Sequence, residues 1–228
     1  MILRGGGGDK DSNLLSESIT DNQKKQKKMK TDNFLAIKKI IIERAKQAKA
    51  CTPEYARAYK SETLPELMQV IKDNFNWCCS SGTIDTELIL QYRDEFAEYD
   101  IFANIDVTHG FLLCGNATVK ACGNATVKAY GNATVKAYGN ATVEAYGNAT
   151  VEAYGNATVE ACGNATVKAY DNATVKAYDN ATVEAYGNAY CMSYSVIECK
   201  LSDRAIHRVV STNTIYYSDD ELKFEKRS

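Results

Sequence analysis

Residues 115–186 read GNATVKAC-GNATVKAY-GNATVKAY-GNATVEAY-GNATVEAY-GNATVEAC-GNATVKAY-DNATVKAY-DNATVEAY, nine octapeptides without a break from Gly115 to Tyr186. A fixed short period means one structural unit stacked on copies of itself, so the architecture is quasi-one-dimensional. Within each unit Ala, Val and Ala hold alternate places, and Thr, Lys/Glu and Tyr lie between them. Alternate residues of a strand face opposite sides, and a charged side chain does not sit unpaired in a dry interior. Ala-Val-Ala therefore faces inward and Thr-Lys/Glu-Tyr outward. Gly-Asn supplies the turn, or Asp-Asn at 171–172 and 179–180, because these residues tolerate positive φ.

Two arrangements of the octads compete. In an antiparallel meander, a two-residue hairpin would pair Tyr138 with Ala141 and set inward residues beside outward ones. A three-residue loop restores the faces but leaves a flat Ala/Val surface without a cover. A β-solenoid of parallel stacked coils covers its own interior. The sixth octad place reads Lys120, Lys128, Lys136, Glu144, Glu152, Glu160, Lys168, Lys176, Glu184. Opposite charges meet in three of eight pairs between consecutive octads, in five of seven between every second and in five of six between every third. Opposite neighbours stabilise a sheet, which favours stacking. Packing separates the last two options. A triangular coil of three octads encloses a space that Ala and Val do not fill. Two octads, or 16 residues, per coil are therefore favoured.

The flanking segments differ in pattern. Residues 187–194 are a decayed tenth octad with Cys191 in the valine place, so the repeat domain spans 115–194. Short strand-like runs at 196–199, 205–209, 214–217 and 222–224 read as irregular strands of a C-terminal cap over 195–228. Upstream, Ile101, Ala103, Ile105 and Val107 alternate with polar or larger residues, and His109-Gly110 marks a turn. Residues 101–114 are expected to form a strand-rich cap over the open sheet edge. Residues 33–100 read as a small helical domain of four amphipathic helices. Its signals are the stripe Ile37, Ile41, Ala45, Ala48; the start at Thr52-Pro53; capping-box spacing at Thr63 and Glu66; and Asp85 as a cap before Leu88, Ile89, Tyr92, Phe96 and Tyr99. Trp77 is expected in the core. Residues 1–32, with Gly5–Gly8 and lysines 24, 25, 27, 28 and 30, read as a disordered leader. Read as an A-rich leader translated in frame, residues 1–28 would precede a true start at Met29. The expected class is α+β, a helical N-terminal domain followed by a short β-solenoid.

The Ala-Thr-Val-x-Ala-Tyr-Gly-Asn array resembles β-solenoid repeat proteins. With its helical leader and the tail SYSVIECKLSD, the chain from residue 33 to 228 is similar to a group of octapeptide-repeat proteins from intestinal anaerobic bacteria and their mobile elements. That resemblance implies no activity and carries over no functional residues.

The rest of the composition mainly narrows function. A net charge of -2 over 228 residues gives no global pull toward nucleic acid or membrane, and 45% hydrophobic content is ordinary. No run approaches the roughly 18 apolar residues of a membrane span, and no apolar signal-peptide core opens the chain, so a cytoplasmic location is expected. The eight cysteines include no Cys-x-x-Cys pair. With only His109 and His207 to help, they are expected to be reduced structural thiols without a metal. His109 reads as a turn residue and His207 as an outward strand residue. No phosphate loop or dinucleotide fingerprint occurs, so neither a cofactor nor an enzymatic activity is expected. The remaining candidate site is an outward ladder of Tyr130, Tyr138, Tyr146, Tyr154, Tyr170, Tyr178 and Tyr186, suited to a protein or glycan, or else to packing between coils. The expected role is a non-enzymatic scaffold or interaction module. The alternative is a nucleic-acid-associated protein of a mobile element that uses the basic helical region, where ten Lys or Arg from Lys24 to Lys49 face Asp32 and Glu43.

Overall fold

The structure, a computed structural model, describes residues 10–218. The leader glycines and the run at 222–224 lie outside the described residues. Two compact units divide the chain, Met1–Val70 and Ile71–Ser228. In the first, α1 (Lys10–Gln47) is followed by α2 (Thr52–Lys60) and by the start of α3 (Leu64–Asp73), within which the boundary falls. Residues 10–32, expected to be disordered, belong to α1. No Gly or Pro interrupts 10–47, and Lys, Gln, Glu and Leu are strong helix formers. Phe34, Ile37, Ile41 and Ala45 form the buried stripe of α1, and residues 22–32 are all exposed. Pro53 stands in the first turn of α2, as expected, with Cys51 rather than Thr52 in the cap position. The Glu66 carboxylate accepts from the Glu62 backbone N–H at 2.7 Å, one residue earlier than a Thr63 capping box requires.

The second unit opens with three short helices, α4 (Phe75–Ser80), α5 (Thr86–Gln91) and α6 (Arg93–Ala97). The Asp85 carboxylate accepts from the Leu88 N–H at 2.7 Å, so this cap is formed. The helix it starts is shorter than its apolar stripe suggests, because Tyr92 leaves helical geometry and separates α5 from α6. Trp77 is 38% exposed and does not belong to the core; Phe75, Cys78 and Cys79 are the buried residues of α4. The helix turns these three toward one side, and Trp77 falls on the other.

From residue 101 the chain coils into a parallel β-solenoid of about six turns. One sheet has nine strands in the order β1 (Ile101–Ala103), β2 (Phe111–Cys114), β4 (Thr126–Ala129), β6 (Thr142–Ala145), β8 (Thr158–Ala161), β10 (Thr174–Ala177), β12 (Tyr190–Ser193), β14 (Ile206–Val209) and β15 (Thr214–Tyr217). The other has six: β3 (Thr118–Ala121), β5 (Thr134–Ala137), β7 (Thr150–Ala153), β9 (Thr166–Ala169), β11 (Thr182–Ala185) and β13 (Cys199–Leu201). Throughout the repeats each residue pairs with its equivalent one coil on, as Val127 does with Val143 and Val135 with Val151. Two octads thus make one coil. Every octad alanine and valine from Val119 to Val183 is buried, and the inward residues of both sheets form one hydrophobic core.

The corners explain Gly-Asn. The Ala133 N–H returns to the Tyr130 carbonyl at 3.2 Å across Gly131 and Asn132, and only the glycine has positive φ, at 64°. This is the pattern of a type II′ turn. Asp171, at φ 58°, fills the same place, and its carboxylate accepts from the Gly155 N–H of the preceding coil at 2.9 Å. Asn side chains form a ladder at the corners, for example Asn188 to Asn172 at 3.1 Å.

Both ends depart from the octad. Ile101–Val107, expected to be one strand, is broken at Asn104, which turns at φ 54° and leaves Ile105 43% exposed. Val107 then bridges in parallel to Ala121 of β3, the next coil along the smaller sheet. Residues 101–110 therefore wrap one non-repetitive coil, and α5 and α6 pack on its edge strand β1. At the other end, residues 195–210 are two further octads in register rather than irregular strands. Val183 pairs with Cys199, and Cys191 pairs with His207. Strand β15 then folds back antiparallel on β14 and is the outermost strand of the larger sheet among the described residues.

Candidate functional site

The octad places its tyrosines at the end of each strand, where the chain turns from one sheet to the other. Two octads per coil therefore split the expected ladder in two. Tyr138, Tyr154, Tyr170 and Tyr186 follow β5, β7, β9 and β11 on one edge of the solenoid. Tyr130, Tyr146 and Tyr178 follow β4, β6 and β10 on the other. The first ladder is continuous, with ring centroids 5.0, 4.8 and 5.0 Å apart and planes within 8°. The second pairs Tyr130 with Tyr146 at 5.1 Å, is interrupted at Cys162, and resumes with Tyr178 on Tyr194 at 5.6 Å. Stacked rings cover one another's faces and turn their edges and hydroxyls outward. The Tyr154 and Tyr186 hydroxyls donate to Glu152 and Glu184, both at 3.0 Å, which fixes the rings beside the charged row.

On the smaller sheet that row alternates through Lys136, Glu152, Lys168, Glu184 and Lys200, whereas on the larger sheet Glu144 stacks on Glu160 between Lys128 and Lys176. Lys136 meets Glu152 at 3.0 Å, Lys176 meets Glu160 at 2.9 Å and Lys168 meets Glu184 at 3.4 Å. Hydrogen bonds from Lys136 and then Tyr154 hold the Glu152 carboxyl below its usual range, and those from Tyr186 and Lys168 do the same for Glu184. The lysines are raised in return, first by their hydrogen bonds to these partners.

Lys128 is the exception. It holds the same outward place, yet it is 2% exposed because α4 lies over this part of the larger sheet. Its ammonium pairs with Glu144, whose other oxygen accepts from Asn76 of α4 at 3.1 Å. It also sits 5.4 Å from the centre of the Tyr146 ring. Burial pushes Lys128 below the usual lysine range, against the opposing pull of Cys79 and Glu160. Beside it the Tyr130 hydroxyl is buried without a hydrogen-bond partner, and burial raises it to about 12.

All eight cysteines are free thiols. Burial pushes Cys78 and Cys79 up to about 12 and Cys114 up to about 11, which leaves them unreactive. His109 stands exposed in its turn, 3.2 Å from Asp100. His207, expected outward, is 3% exposed. Its strand is an octad in phase with the repeats, so His207 falls in the valine place and points into the core. There it meets Cys191 and Cys199, and the three ligating atoms lie within 4.8 Å of one another. The hydrogen bond from Cys191 and the neighbouring His207 hold Cys199 down to about 6 in spite of burial, while the same bond and burial push Cys191 up. A signal for this cluster was present in the chain: Val183, Cys191, Cys199 and His207 follow one another at eight-residue steps. It is hidden because the surrounding octad residues at 195–210 have almost all changed.

No helix among the described residues is long and apolar enough to cross a membrane. Comparisons with protein-family models, curated proteins and solved structures gave no match to this chain.

Proposed function

We propose that this chain is a non-enzymatic interaction module of the cytoplasm, belonging to the octapeptide-repeat group that its sequence resembles, and that it presents regularly spaced rows to a protein partner. The observation that carries this reading is the continuous four-tyrosine ladder beside an alternating charged row. Rings held at a 4.8–5.0 Å spacing have already lost their side-chain freedom, so a partner meets a rigid surface at little entropic cost. Their faces are occupied by one another, which favours protein contact with edges and hydroxyls over glycan stacking on ring faces. The test is crosslinking in native host cells followed by mass spectrometry. It compares wild type with Tyr138→Ser, Tyr154→Ser, Tyr170→Ser and Tyr186→Ser combined, after circular dichroism has shown that both fold. A partner lost in this variant but kept when Tyr130, Tyr146 and Tyr178 are changed supports the reading. A partner indifferent to both sets, or a wild type retained by polysaccharide alone, overturns it.

The second reading, a nucleic-acid-associated protein, rests on α1, where Lys24, Lys25, Lys27 and Lys28 are all exposed on one helix. Binding through phosphates falls steeply with salt, by about 0.9 log units per log unit for each phosphate contacted. Binding of the full chain to duplex DNA and RNA across a salt series, repeated with these four lysines changed to Gln, decides it.

A further inference from the structure

Nine successive octads put valine in the same inward place, from Val119 to Val183, each at most 1% exposed. The next three put Cys191, Cys199 and His207 there. Because two octads make a coil, Cys191 and His207 are stacked partners on the larger sheet, and Cys199 faces them from the smaller one. The last coil thus ends its dry core with two thiols and an imidazole instead of three isopropyl groups. Packing alone does not explain the exchange. Valine fits this place in every preceding coil, and burying polar groups in an apolar interior costs stability unless something binds them.

We propose that Cys191, Cys199 and His207 form a zinc site that ties the two sheets together at the C-terminal end of the solenoid. Two thiolates and an imidazole are ligands that zinc prefers, and no carboxylate in the cluster invites a hard cation. The geometry is close to what the metal needs. Bond lengths of about 2.3 Å to sulfur and about 2.0–2.1 Å to nitrogen set ligand atoms roughly 3.5–3.8 Å apart in a tetrahedron. The observed limit of 4.8 Å is reached from both sheets, so side-chain rotation of about 1 Å closes the set.

The surroundings of His207 agree. The Ser193 hydroxyl donates to the Ser195 carbonyl at 2.6 Å, which uses its one proton. It therefore accepts from His207 Nε2–H at 2.8 Å, and Nδ1 keeps its lone pair for a metal. A metal-bound histidine ordinarily donates its other N–H to a fixed acceptor in this manner. Tyr216 of β15 stacks on the imidazole at 5.8 Å and holds its plane. Cys199 and His207 also line a cavity of about 470 Å³ together with Val196, Leu201 and Tyr216. This cavity gives the ion a way in and gives water, or a small anionic ligand, the fourth coordination position. Binding releases to solvent whatever thiol protons the two cysteines still carry, so affinity falls as pH is lowered.

The test uses the full chain under reductant, stripped with a chelator and then titrated with zinc chloride, and in parallel with cobalt chloride as a spectroscopic probe. One zinc per chain is expected, with thiolate-to-cobalt charge transfer and the strong visible bands of a tetrahedral site, and with a rise in melting temperature. Cys191→Val, Cys199→Val and His207→Val each restore the residue of the repeat, so these variants fold, and each abolishes the cobalt spectrum and the zinc-dependent rise. Ser193→Ala, which removes only the positioning acceptor, lowers zinc affinity about 10–100-fold while keeping the tetrahedral spectrum. A reduced wild type that folds but binds no zinc, or valine variants that bind it as wild type does, would overturn the site. So would formation of a Cys191–Cys199 disulfide on air oxidation in a chain that takes up no metal when reduced.

Discussion

Changing Glu144 to Gln should destabilise the solenoid far more than the same change at Glu152, although both residues hold the sixth place of an octad and both face lysine. Lys136, the partner of Glu152, keeps 38% of its side chain in solvent, and water takes over when the carboxylate is lost. Lys128 keeps 2%, and its ammonium has no such recourse. Breaking a buried pair by removing one partner costs about 3–5 kcal/mol. Glu144 itself is 17% exposed and Glu160 lies near enough to act on the same charge, which places the loss near the lower figure, about 3 kcal/mol. At about 2–4 °C per kcal/mol for a unit of this size, the melting temperature should fall by about 6–12 °C. Glu152→Gln should shift it by no more than the error of the melt. A second signature is the pH dependence. The Lys128 pKa is lowered in the folded state, so between that value and its ordinary 10.5 the unfolded chain binds the extra proton. The contribution of Lys128 to stability therefore rises with pH through this window, and the Glu144→Gln deficit should shrink as the pH approaches 10.5. Lys128→Met combined with Glu144→Gln should return close to wild type, since neither buried charge remains. Thermal melts followed by circular dichroism decide the matter. Equal losses for Glu144→Gln and Glu152→Gln would mean that α4 does not cover Lys128.

Val151→Asp should prevent folding of the array, because a fully buried position at the centre of the smaller sheet would receive an unpaired carboxylate; soluble, cooperative melting of this variant would contradict the assigned faces. Asp179→Ala should cost about 1–3 kcal/mol, from strain at φ 54° and from loss of the bond to the Gly163 N–H, whereas Asp179→Gly should lose only the bond; urea titration separates the two. The exposed Lys/Glu rows should make stability bell-shaped in pH. Glu152 and Glu184 are lowered, so their contribution is present above 4.5 and is lost as pH falls through their folded values. Lys136, Lys168 and Lys176 are raised, so theirs is present below 10.5 and is lost as pH rises through their folded values. Added salt should flatten both limbs, and a melting profile that ignores salt would remove the rows from the account of stability.

The sequence by itself determined the repeating part of this protein. Alternation within eight residues places Ala-Val-Ala inside, Gly-Asn with its positive φ makes the corner, and the order of lysines and glutamates together with the small core specifies 16 residues per coil. These are local rules, each repeated nine times, and repetition averages out local ambiguity. Tertiary structure decided whatever depends on what lies across a coil or on top of it. That the tyrosines form two ladders follows from counting strands around a closed coil, not along the chain. Lys128 is charged and outward by pattern and becomes buried only because α4 rests on it. Octads 195–202 and 203–210 kept the fold after losing the motif, since backbone hydrogen bonds to the preceding coil hold their register whatever the side chains. That register, which no local pattern in SVIECKLS or DRAIHRVV discloses, turns His207 inward and brings it to Cys191 and Cys199.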